Sequence, residues 1–125
     1  MNWEFNNDRP IYTQIVEHMK LFIVSGEIAA GSKLASVREL AGDAEVNPNT
    51  MQKALSELER IGLMHANRTS GRFITEDNAM ILKVKQELAE ESIQVFLQNM
   101  KKIGYDKTQT ISLIEKYDKG EEIHE

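Results

Sequence analysis

Apolar residues recur at intervals of three and four along most of this chain, and the breaks in that rhythm mark its turns. Ile11, Ile15, Met19, Phe22 and Ile23 form one such stripe. They predict a helix from Pro10 to about Ser25, closed by Gly26. Residues 1–9 before it read as an extended arm, with Trp3 and Phe5 as packing anchors. A connector containing Gly31 comes next. Ser36 then suits the cap of a short helix from Val37 to about Asp43, with Glu39 three residues on as its capping-box partner. Val37, Leu40 and Ala41 are its inward face, and Ala44-Glu45-Val46 reads as a turn.

The next stretch, Asn47–Leu63, is the most informative. Met51, Ala54, Leu55, Leu58 and Ile61 are spaced to form one buried face. Asn47 suits the cap, Pro48 the first helical position and Gly62 the residue past the end. The first turn carries Asn49, Thr50 and Gln52, and then Lys53. Amides and hydroxyls at a helix start suit phosphates and base edges in a major groove. Taken alone, this helix reads equally well as a solvated amphipathic surface.

The segment after Leu63 separates the two readings. Met64–Asn67 and Arg72–Thr75 are short strand candidates, and Arg68-Thr69-Ser70-Gly71 is a hairpin turn in which Gly71 can take positive φ. A helix joined directly to a basic-tipped hairpin outlines a winged helix-turn-helix. The expected fold class is mainly α with a small β-hairpin, the winged helix-turn-helix domain spanning residues 1–76.

From Asp77 the pattern changes. Ile81, Val84, Leu88, Ser92, Val95 and Ile103 share a helical stripe, with Phe96 and Met100 beside them, and Gly104 ends it. Asp106 or Thr108 can cap a last helix carrying Ile111, Ile114 and Tyr117, and residues 120–125 read as a frayed acidic tail. Two helices cannot bury themselves as an independent domain. Residues 77–125 are therefore expected to be a dimerisation segment that packs on a second copy; folding back onto the first domain is the alternative.

Composition narrows the chemistry. The chain of 125 residues has 41% hydrophobic residues, enough for a packed core. It has no cysteine, which excludes disulfides and fits a reducing, cytoplasmic setting. No apolar run approaches a membrane span, and the first residues lack the apolar core of a secretory signal. The net charge of −5 argues against a general polyanion binder. Residues 1–76 hold 8 Lys and Arg against 10 Asp and Glu, so DNA binding would depend on a few aimed cations and fall quickly with salt. His18, His65 and His124 have no spacing that gathers them, no glycine-rich phosphate loop is present, and no serine sits in a nucleophile elbow. The chain is read as no enzyme, with no cofactor and no metal.

Three segments together carry a resemblance. PIYTQIVEHMKLFIVSGEIAAGSKLASVRELA (10–41), VNPNTMQKALSELERIGL (46–63) and RTSGRFI (68–74) resemble the DNA-binding domain of the GntR family of bacterial transcription regulators. The short two-helix remainder is similar to the YtrA-type subfamily, whose members lack large effector-binding domains. The resemblance implies a homodimer on a two-fold symmetric double-stranded operator, acting as a repressor of its own operon and of transporter genes. It implies that Arg38 reads guanine through O6 and N7, although Arg38 also suits an ion pair with Glu39 or Glu45. It places Ser36, Asn47, Asn49, Thr50 and Gln52 at the DNA, Lys53 at a phosphate, and Arg68, Ser70 and Gly71 at a wing tip in the minor groove. Four positions depart from the common pattern: Ala35 stands where proline is frequent, Pro48 and Gln52 where arginine is frequent, and Thr69 where a wing glycine is frequent. A small-molecule effector is left open, with Trp3, Phe22, Phe96 and Tyr105 as candidate pocket residues and core packing as their alternative.

Overall fold

The computed structural model describes residues 1–118. The acidic tail expected over 120–125, and His124 with it, lie outside the described residues. Five helices and one hairpin run in the order α1 (Ile11–Val24), α2 (Val37–Ala44), α3 (Pro48–Arg60), β1 (Met64–Asn67), β2 (Gly71–Ile74), α4 (Asn78–Ile103) and α5 (Lys107–Asp118). The chain divides into two compact units, Met1–Lys85 and Gln86–Glu125. Their boundary falls inside α4, C-terminal to the boundary expected at residue 76.

In the first unit α3 packs against both α1 and α2. Ile15 and Met19 of α1, Leu40 of α2 and Met51, Leu55 and Leu58 of α3 are fully buried between them. Each such side chain contributes roughly 1.5–3 kcal/mol by leaving water. Ile61, placed on the same stripe by its spacing, is only half-buried, because α3 has already ended at Arg60. Val37 is likewise half-buried. The turn between α2 and α3 is made by Glu45, whose φ of 57° puts a non-glycine residue in the left-handed region.

The arm folds onto α1. Trp3 stacks on His18 and meets Phe22 edge-on at 5.0 Å. Gln14, 2% exposed, anchors the arm by donating to the carbonyls of Asn6 and Arg9 and accepting from the Asn6 N–H. A buried amide is tolerated here because all of these bonds are made.

β1 and β2 pair antiparallel with Met64 opposite Ile74 and Asn67 opposite Gly71. The connector before α2 adds a third edge that the sequence did not reveal. Lys33 bridges Phe73, the Leu34 N–H donates to the Arg72 carbonyl at 2.8 Å, and the Ile74 N–H donates to the Ser32 carbonyl at 2.9 Å. These bonds tie the start of α2 to the hairpin.

In the second unit the C-terminal part of α4 turns into α5 at Gly104, with φ of 109°. Asp106 is the cap of the two candidates: its carboxylate accepts the Gln109 N–H at 2.8 Å while the Gln109 side chain accepts the Asp106 N–H at 2.9 Å. Ile93, Val95, Phe96, Ile103, Ile111, Ile114 and Tyr117 are all exposed in the single chain.

Candidate nucleic-acid interface

Three short segments carry the candidate polar side chains: the first turn of α2, the first turn of α3 and the loop joining β1 to β2. Ser36 caps α2, its Oγ accepting the Glu39 N–H at 3.1 Å even though Ala35 precedes it. The Glu39 carboxylate makes no hydrogen bond back to Ser36 among the described residues, so only half of the expected capping box forms. Arg38 is exposed in the same turn and makes no ion pair with Glu39 or Glu45, nor with any other described acid. Its donors remain uncommitted.

Asn47 caps α3, its side-chain oxygen accepting the Asn49 N–H at 2.8 Å. Asn49 and Gln52 are exposed and Thr50 is half-buried. The free N–H groups and partial positive charge of this helix start favour an anion in front of them. Lys53 takes another direction: its ammonium lies over the Tyr12 ring of α1, 4.8 Å from the centroid, a cation–π contact.

In the hairpin loop, Asn67 accepts both the N–H and the hydroxyl of Thr69, at 3.1 and 3.2 Å. This local turn holds the loop where the family pattern has glycine. Gly71 takes φ of 99°, which a residue with a Cβ adopts only with strain. Arg68 is exposed and has no ion pair among the described residues.

An open groove of about 680 Å³ runs between the start of α2 and the hairpin, bordered by Ser36 and Val37 on one side and Ser70, Gly71 and Arg72 on the other, with Lys33 beside them. It brings three of the expected residues together: Ser36, Ser70 and Gly71. Gln52 joins through Arg72, whose NH1 donates to the Gln52 side-chain oxygen at 3.5 Å while its Nε donates to Glu59. Asn47 and Asn49 are linked to each other. Lys53 is turned to α1.

Sequence reasoning missed Lys33 and the role of Arg72. For Arg72 a signal existed. Alternation along β2 puts Arg72 on the face of buried Ile74, so its side chain points toward the domain and not outward like a wing-tip cation. Lys33 offered none, because its place depends on a bridge to a residue forty positions away.

The charge balance of the domain is also uneven. Arg9, Arg60 and Arg72 are paired with Glu17, Glu57 and Glu59, whereas Lys33, Arg38, Lys53 and Arg68 have no ion pair among the described residues. Glu57 and Arg60 lie in the C-terminal part of α3. There the Arg60 guanidinium, hydrogen-bonded at 2.5 Å, holds the Glu57 carboxyl below its ordinary range, and Arg60 is raised in turn. Four cations without ion pairs thus lie around α2, α3 and the hairpin, together with the unpaired carboxylates of Glu39 and Glu45.

Residues 11–74 match the family described as bacterial regulatory proteins, gntR family. The chain belongs to the GntR family. An HTH-type transcriptional regulator of Bacillus subtilis, YhcF, is 36% identical over 120 residues, covering 96% of this chain and 99% of that protein. The HTH-type transcriptional repressor YtrA of the same organism is 38% identical over 97 residues, covering 78% of this chain and 70% of YtrA. A solved GntR-family regulator from Listeria monocytogenes superposes with a TM-score of 0.82 at 39% identity, covering 90% of this chain and 98% of that one. The DNA-binding domain of AraR, solved in complex with an operator, superposes with a TM-score of 0.55 at 25% identity over 60% of this chain and 96% of that one. This GntR-family chain is thus a DNA-binding transcriptional regulator of winged-helix fold, from a family of regulators and not of enzymes. Among the described residues, no helix is long and apolar enough to cross a membrane.

Proposed function

We propose that the protein is a homodimeric, cytoplasmic repressor that occupies a two-fold symmetric operator through α2, α3 and the hairpin. The observation that carries this reading is the character of that surface. Among the described residues, no large hydrophobic side chain of residues 30–76 is exposed, while Arg38 and Arg68 stand uncommitted beside amides and hydroxyls. A protein-docking module would expose an apolar patch at the same place. In the proposed complex Arg38 forks onto a guanine, Asn47, Asn49, Thr50 and Gln52 face the major groove, and Lys53 leaves Tyr12 for a phosphate. Ser36 contributes its hydroxyl, and Arg68, Ser70 and Gly71 reach the minor groove. The operator complex of AraR and the repressor name of YtrA support the assignment.

The dimer is supported by the exposed apolar side chains of the second unit, which a second copy would cover. A repressor of this kind would act on its own operon and on transporter genes. Trp3 of the arm and Phe22 of α1, candidates for an effector pocket, pack edge-on against each other. Footprinting on the DNA upstream of its own gene tests the proposal: a protected, two-fold symmetric site is expected, and random cleavage throughout would refute it.

A further inference from the structure

We infer that Arg72 is a positioning residue for sequence specificity: anchored on Glu59, it fixes which way the Gln52 amide presents itself to the bases. The inference rests on the proposed reading of α3 as the recognition helix.

Gln52, Ser56 and Glu59 are spaced i, i+4, i+7 and so share one face of α3. Arg72 approaches that face from β2. Its Nε donates to a Glu59 carboxylate oxygen, and the two side chains are 18% and 29% exposed, so solvent and salt weaken this pair less than one on open surface. From the same guanidinium, NH1 reaches the Gln52 Oε1 at 3.5 Å. Guanidinium is a donor only, so the amide must turn its oxygen toward Arg72. Its nitrogen then donates to the Ser56 hydroxyl at 3.3 Å.

An unrestrained glutamine amide flips and offers donor or acceptor at either position. Here a charged donor on one side disfavours the flip. One N–H and one oxygen lone pair remain, in a fixed order, and that order is what distinguishes base edges in the major groove. The side chain also reaches DNA already ordered, which lowers the entropic cost of the contact. Arg68, exposed and unpaired, has no such arrangement, and neither does Lys53.

The test is selection from a pool of random-sequence duplexes by the full chain, as wild type, Gln52→Ala, Arg72→Thr and Arg72→Lys. Salt slopes and thermal unfolding midpoints are measured for each. Gln52→Ala identifies the base position that Gln52 reads. Arg72→Thr is expected to blur the same position, lowering discrimination there at least about fivefold, with other positions retained and the salt slope unchanged. Arg72→Lys is expected to behave like Arg72→Thr, because a point ammonium on Glu59 cannot also hold the amide. Retention of the wild-type preference by Arg72→Lys would overturn the inference. So would a uniform loss of affinity in Arg72→Thr with the salt slope reduced by about one, the mark of a phosphate contact. If folded wild type selects no sequence at all, the reading of α3 fails and the inference with it; if wild type selects a site but Arg72 leaves the Gln52 position untouched, only the inference fails.

Discussion

The indole N–H of Trp3 donates to a carboxylate oxygen of Asp43 at 2.9 Å, joining the first residues of the arm to the last turn of α2. The contact closes a chain of packing in which Trp3 also lies on His18 and Phe22 of α1. The arm thus connects α1 and α2 at the side of the domain where the turn to α3 begins.

Trp3 is the only tryptophan, so its fluorescence reports this contact directly. Asp43→Ala is expected to shift the emission to longer wavelength as the ring gains water, and to lower stability by about 1 kcal/mol, the worth of a partly exposed hydrogen bond to a charged group. An unshifted spectrum would show that the arm holds without Asp43.

Asn47 caps α3 and is proposed to face DNA, and the two roles are separable. Asn47→Ala removes the cap of α3 and is expected to cost about 1 kcal/mol. Asn47→Asp keeps a capping oxygen but sets a carboxylate on the surface proposed to face DNA. Chemical unfolding of this second variant is expected to match wild type while DNA binding falls; equal binding by the two proteins would remove Asn47 from the interface.

The Glu57–Arg60 pair gives a pH dependence with a definite sign. Hydrogen bonding to Arg60 lowers the folded-state pKa of Glu57 below its unfolded value. The stabilisation is therefore present above the ordinary carboxylate range and is lost as pH falls through the folded value. Unfolding midpoints of wild type and Glu57→Gln are expected to differ near neutrality and to converge in acid. Curves separated by a constant amount would contradict the assignment.

A chain ending after Lys85 keeps Val84, which is 3% exposed, and so keeps the core of the first unit. It is expected to remain folded, to sediment as a monomer, and to bind a two-fold operator far more weakly than the full chain. A dimer of the shortened chain would place the interface elsewhere.

The helices were legible because their signals are local. Ser36, Asn47 with Pro48, and Gly62 mark ends within a few residues of their causes, and Met51, Ala54, Leu55 and Leu58 are all buried as their spacing requires. The features that escaped depend on distant partners. The third edge at Lys33, the arm on Asp43 and the engagement of Arg72 with Glu59 and Gln52 all join separate elements. Val84 and Val95 look alike on one helical stripe, and only tertiary contact makes the first buried and the second exposed.

Arg38 decides whether this surface reads sequence. Binding to the DNA upstream of its own gene and to a scrambled duplex is measured for wild type and Arg38→Ala, each at two salt concentrations. Wild type is expected to bind tightly and with salt sensitivity, and the variant to lose about 1–3 kcal/mol of discrimination with the salt slope nearly unchanged. Equal preference for the native duplex in both proteins would contradict it.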